Sequence, residues 1–149
     1  MIHALTRFSI GLFFLALVIT GCQSSDSGPF FYGTWILTDY RIPGISAMSP
    51  EEAKTWVGKV AHYTKQTASF DGETCASPTY RQRIILLEKF YDEFRASPEL
   101  LDYTEGPIPS VEVLCGKRSW AAPGSMLMKG EEVPMVMVWD GVFFFLQKQ

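Results

Sequence analysis

Apolar residues recur in this chain mostly at every second position in short runs, the period of a pleated strand rather than a helix. The first clear run, residues 33–42, places Trp35, Leu37 and Asp39 on one face and Ile36, Thr38, Tyr40 and Ile42 on the other, and Pro43-Gly44 stops it. Residues 59–63 and 68–70 have strand composition, and Asp71-Gly72 supplies a tight hairpin turn with Cys75 just past it. Residues 79–87 alternate at first and then become continuously apolar through Ile84, Ile85, Leu86 and Leu87. A competing reading makes residues 83–95 one helix, and the β-branched pair Ile84-Ile85 is the main argument against it. Beyond Gly106-Pro107 the pattern is wholly β: strands at 110–115, 125–129, 133–140 and 142–148, with a loop at 116–124 that carries Trp120 and Pro123. Asp140-Gly141, between Met137-Val138-Trp139 and Val142-Phe143-Phe144-Phe145, is a strong hairpin signal.

Helical pattern interrupts the strands twice. Ser49-Pro50-Glu51-Glu52 reads as a helix start, with Ser49 as N-cap, Pro50 in the first turn and Glu52 completing a capping box; Ala53, Trp56 and Val57 form its apolar side before Gly58. Residues 88–95 place Phe90, Tyr91 and Phe94 at helical spacing, and Ser97-Pro98-Glu99 caps a further turn with Leu100 and Leu101. The last two strands are apolar on both faces, so both faces need cover or one lines a cavity. About eight short strands joined mainly as hairpins, with helical inserts after the first and fourth, predict a mainly β fold: a small antiparallel up-and-down barrel. Closure would also remove the exposed edges that a strand such as 142–146 cannot safely leave open.

Gly33-Thr34-Trp35, opening the first strand of such a chain, resembles the Gly-x-Trp start of lipocalins and other calycins. The resemblance implies a lipocalin-like barrel over residues 30–149 whose interior holds a small hydrophobic ligand. Lipocalins usually place an Arg late in the barrel over that Trp and end with a helix; here the last strand offers Lys148, and the sequence stops on that strand.

The first residues carry a different pattern. Arg7 and a run of Phe, Leu, Ile, Ala and Val over residues 8–19 have the anatomy of a secretory leader, too short for a bilayer core that needs roughly 20 apolar residues. Ile19-Thr20-Gly21-Cys22 then gives branched apolar, small, glycine and cysteine. This resembles the lipobox of bacterial lipoprotein signal peptides, which implies removal of residues 1–21 and lipidation of Cys22 as the mature N-terminus. Gln23 after that cysteine implies, by the same resemblance, the outer membrane of a Gram-negative cell. Residues 23–29, rich in Ser with Gly and Pro, read as a flexible tether between anchor and barrel.

Composition narrows the chemistry. The chain has 13 Lys and Arg against 16 Asp and Glu, and loss of the leader removes Arg7 and no acid. With no basic run or aromatic-basic interleaving, nucleic acid is not an expected partner. Once Cys22 is spent on lipid, Cys75 and Cys115 remain in an oxidising compartment, where such a pair forms a structural disulfide. His62 is the one histidine left outside the leader, and neither CxxC, HExxH nor GxSxG occurs, so no metal site, cofactor or catalytic residue is expected. Gly116-Lys117-Arg118-Ser119 resembles a fragment of a phosphate loop but lacks the preceding glycine spacing and reads as a surface cluster. Asp39 shares the face of Trp35 and Leu37; if that face is interior, its carboxylate needs Arg81, Arg83 or a ligand cation, and otherwise it is a strand-end residue in solvent.

The aromatic residues Trp35, Tyr40, Tyr63, Phe70, Tyr80, Trp139, Phe143 and Phe145 are the candidate lining of a barrel interior. An eight-stranded barrel either fills its interior with side chains or leaves room for one small ligand. The sequence therefore predicts a membrane-anchored, non-enzymatic lipoprotein of the cell envelope that binds a small hydrophobic ligand in its barrel. The rival reading is a protein-binding module, such as a hydrolase inhibitor or an accessory subunit, acting through loops with Trp120 as an exposed anchor.

Overall fold

The computed structural model describes residues 28–149; the expected leader, lipobox, Cys22 and most of the tether lie outside them. The chain enters through a turn in which Tyr32 N–H donates to the Pro29 carbonyl at 3.0 Å. Strand β1 (Gly33–Arg41) follows, then α1 (Pro50–Trp56), whose Ser49 cap accepts from the Glu52 N–H at 3.1 Å. Four strands come next: β2 (Val60–Tyr63), β3 (Thr67–Phe70), β4 (Glu73–Ala76) and β5 (Thr79–Ile85). Helix α2 (Leu87–Phe94) and a 3-10 turn (Pro98–Leu101) lead to β6 (Ile108–Cys115), the two-residue β7 (Arg118–Ser119), β8 (Met126–Met128), β9 (Met135–Trp139) and β10 (Val142–Lys148). Ile84 and Ile85 thus belong to a strand, and helix begins at Leu87, not at Arg83.

Hydrogen bonding joins the strands in the order β4-β3-β2-β1-β10-β9-β8-β6-β5, with β7 on the side of β6. Every pairing is antiparallel. The two ends of that path, β4 and β5, are consecutive in sequence. Because direction alternates along nine strands, the end strands run the same way, so they are two halves of one bent strand. The bend is Ser77-Pro78: Ser77 sits at φ 53, and Pro78 has no N–H to give to a ladder. One half pairs with β3, a contact that Ser77 N–H extends to the Gln66 carbonyl at 2.7 Å; the other half pairs with β6. Counting the bent strand once gives eight positions, the up-and-down antiparallel barrel that the hairpin pattern predicted. Where no ladder crosses from β4 to β6, the Cys75–Cys115 disulfide does, with Cα atoms 5.7 Å apart.

Both faces of the curled sheet are apolar because both are covered. The inner cluster takes Trp35 and Leu37 of β1, Ala61 and Tyr63 of β2, Ala68 and Phe70 of β3, and the even-numbered residues Val142, Phe144 and Leu146 of β10. Trp56 of α1 stacks on Phe144 with ring centroids 5.0 Å apart, so α1 lies against the end at which β1 finishes. Phe31 packs beside Tyr80 at 4.7 Å near the opposite end, and its carbonyl accepts from Trp35 Nε1 at 2.9 Å. The outer cluster is built on the odd residues of β10: Phe143 and Phe145 lie with Phe90 and Phe94 of α2 and with Leu101, Ile108, Met128 and Val136.

A bulge in β1 changes the predicted faces of the residues that follow it. Leu37 pairs with Leu146, but Asp39 pairs with Phe145, leaving Thr38 as the extra residue. The faces exchange there, so Tyr40 and Ile42 pack on the inner cluster and Asp39 turns to solvent, where Arg41 pairs with it.

Candidate binding surfaces

The structure divides the predicted aromatic lining. Trp35, Tyr63 and Phe70 are fully buried in the interior, while Tyr40, Tyr80 and Trp139 pack at its margin, partly exposed. Phe143 and Phe145 sit on the outside of the sheet, because β10 points its even-numbered residues inward. The Arg41 guanidinium lies 5.6 Å from the centre of the Phe145 ring. Phe144, absent from the predicted set, is the β10 aromatic that points in.

The interior polar groups are occupied by the protein itself. The Tyr63 hydroxyl donates to the Gly124 carbonyl at 3.2 Å; burial, with a smaller contribution from Tyr80, raises its pKa far above the ordinary phenol value. The Tyr80 hydroxyl donates to the Thr64 carbonyl at 2.7 Å, and burial raises its pKa too. Tyr40 donates to the Pro50 carbonyl at 3.2 Å. Among the described residues no buried side-chain nitrogen or oxygen lacks a partner. Trp35, Tyr63, Phe70 and Phe144 are buried together in the inner cluster.

Trp120 is not an exposed anchor. Its N–H donates to the Val113 carbonyl at 2.8 Å, which folds the 116–124 loop inward and leaves the residue 6% exposed within the inner cluster. Gly124, at φ +91, permits that return: a Cβ there would meet the Tyr63 hydroxyl at 2.3 Å and the Trp120 ring at 3.5 Å. The neighbouring Gly116-Lys117-Arg118-Ser119 stretch is a turn into β7, with both cations exposed.

The remaining polar candidates have structural partners. His62 Nδ1 shares a 3.0 Å hydrogen bond with the Thr34 hydroxyl across the β1–β2 pair. Glu112 accepts from the Ser119 hydroxyl and from two nitrogens of Arg81, and these hydrogen bonds, that of Ser119 first, hold its carboxyl below the usual range. For Asp39, burial acts to raise the pKa, but hydrogen bonds from Arg41 and the Tyr40 N–H bring the net shift down. Among the described residues no group of three or more His, Cys, Asp or Glu is placed to hold a metal ion, and no helix is long and apolar enough to cross a membrane.

A cleft of about 710 Å³ lies between the loop after β1 and the far end of α2, lined by Pro43, Gly44, Ile45, Tyr91, Arg95 and Leu100 among others. Two smaller ones are a 380 Å³ cleft at Asp39, Arg41 and Phe145 and a 190 Å³ cleft at Phe30, Arg83 and Ile84. Ile45 is 96% exposed and Tyr91 61% exposed. The walls of this site come from a loop and a helix more than forty residues apart, which no local sequence pattern brings together. The available signal was an isoleucine at the tip of a Pro-Gly-x-Ser turn, where polar residues are the norm. No family model, curated protein or solved structure matches this chain.

Proposed function

We propose that this chain is a lipid-anchored envelope protein whose barrel is a filled scaffold, and that it works by binding another protein on its outer surface. The observation that carries this reading is the packed interior: Trp35, Tyr63, Phe70 and Phe144 occupy the space that a carrier would reserve for cargo. The anchor rests on Ile19-Thr20-Gly21-Cys22, with acyl chains on Cys22 adding about 0.8 kcal/mol of membrane affinity per buried methylene. The Cys75–Cys115 disulfide supports an oxidising compartment. A Gram-negative outer membrane is the location that Gln23 favours.

Two measurements test the proposal. Metabolic labelling with an alkyne palmitate should mark the wild-type chain and leave Cys22→Ala unlabelled; an unlabelled wild type refutes the anchor. Native mass spectrometry of the purified protein, compared with a denatured sample, should show no extra non-covalent mass beyond bound detergent. A stoichiometric small molecule lost on denaturation would restore the carrier reading and refute the filled scaffold.

A further inference from the structure

The 710 Å³ cleft beside α2 brings exposed apolar side chains and a cation together. One wall is the exposed Ile45, and the loop that presents it is braced. The Ser46 hydroxyl donates to the Asp140 carbonyl at 2.7 Å, and the Ala47 N–H donates to the same oxygen at 3.0 Å. The β9–β10 turn approaches so closely that a Cβ on Gly141 would lie 2.5 Å from the Ile45 carbonyl. Ile45 is thus held out in water by its backbone, at the cost of leaving a branched apolar side chain solvated.

Across the cleft stand Tyr91 and Leu100, with Arg95 at the end of α2. Arg95 adopts the left-handed conformation at φ 54, a helix-terminal position that usually goes to Gly or Asn. The acids of the described ion pairs are taken by Arg41, Lys59, Arg81 and Arg83, and Arg95 is in no ion pair among the described residues. The one carboxylate lining the cleft, Glu99, accepts instead from the Ser97 hydroxyl at 2.7 Å.

Resting on the protein-binding reading above, we infer that this cleft takes an extended segment of a partner protein in which an apolar side chain is followed by Asp or Glu. The apolar side chain enters between Ile45 and Tyr91, and the carboxylate meets the Arg95 guanidinium, whose planar fork suits a two-oxygen acceptor. Tyr and Arg are the residue types most enriched where proteins bind one another. Charge complementarity selects the acidic flank. The open cleft and its protruding Ile45 favour a protein surface over a small amphiphile, because a protein can cover the rim as well as the floor.

The test uses the full-length chain in detergent micelles and matched synthetic peptides that differ in Leu-Asp against Leu-Asn, read by fluorescence anisotropy. Wild type should bind the Asp peptide about tenfold more tightly than its Asn partner. Arg95→Gln should erase that difference, Ile45→Ser should weaken both peptides, and Val60→Ser, an exposed apolar site elsewhere, should change neither. No Asp preference in wild type, or one that survives Arg95→Gln, overturns the inference. A photo-crosslinking residue at Ile45 or at Ile84, introduced in the native envelope, separates the two levels of the argument. Adducts from position 84 alone overturn the cleft assignment and leave protein binding standing, whereas no adduct from either position overturns both. A self-adduct from position 45, or Ile45-dependent binding to anionic phospholipid vesicles, would give the cleft to a second copy or to lipid and likewise overturn it.

Discussion

Loss of the Cys75–Cys115 bond should open the barrel along one line. The bent strand has β3 on one side and β6 on the other, and its first half, β4, has no ladder to β6. Covalent linkage stands where hydrogen bonding stops. The two cysteines are 40 residues apart, so the chain-entropy estimate gives about 4 kcal/mol of stabilisation through the denatured state. That is a large share of the roughly 5–15 kcal/mol that holds an ordinary domain folded. Urea unfolding of oxidised protein, reduced protein and the Cys75→Ala/Cys115→Ala variant should show a fall of that order. The urea dependence should steepen, because a denatured chain without the cross-link exposes more surface. Native-state hydrogen exchange should lose protection first at residues 73–85 and at the end of β6, before β1, β9 and β10. A loss below about 1 kcal/mol, or exchange that rises evenly over the sheet, would refute the reasoning. The bent strand would then be held by its own ladders, with the bridge an accessory.

Four further substitutions probe the packing and one ion pair. Gly124→Ala, at φ +91 and with its Cβ 2.3 Å from the Tyr63 hydroxyl, should cost about 2–5 kcal/mol; Tyr63→Phe should recover part of that in a double-mutant cycle, and strict additivity would count against the clash. Trp120→Ala should cost about 3–5 kcal/mol in urea unfolding, as for a large core side chain, whereas a cost near zero would return Trp120 to the surface. Glu112 has a pKa held down by Ser119 and Arg81, so its stabilisation is present above the unfolded carboxylate pKa and lost as pH falls through the lower folded value. Glu112→Gln should therefore lose about 1 kcal/mol at neutral pH, with the gap closing in acid; a gap unchanged in acid would refute the assignment.

Local turn and cap chemistry made most of the elements legible in the sequence. Asp140-Gly141 and Asp71-Gly72 form hairpin turns with positive φ at both central residues, and Ser49 caps α1. What escaped depended on tertiary geometry. The strand at Glu73–Ala76 has a single buried residue, Cys75, and so gives no alternating signal in the sequence. Asp39 lies in solvent, one of the two places the sequence allowed it, but the bulge at Thr38 that exchanges the faces there is announced by no residue type. Apolar residues on both faces of β10 show that two covers are needed but not which face is interior, so the sequence does not separate Phe143 and Phe145, which lie beneath α2, from the interior Trp35. Trp120 looked exposed because it sits in a loop rich in Gly and Pro; its burial depends on Gly124 and Tyr63, which are 61 positions apart.

The pairing of β1 with β10 also sets an order of events in time. Trp35 lies opposite Lys148, so the first of the described strands is completed by the last of them. Synthesis proceeds from the amino end, and the intervening hairpins must form before that distant closure becomes affordable. Until then β1 keeps one edge unpaired, with Trp35 and Leu37 on its apolar face, and such an edge invites association with other chains. The interval between making β1 and delivering β10 is therefore one in which the chain is open to association.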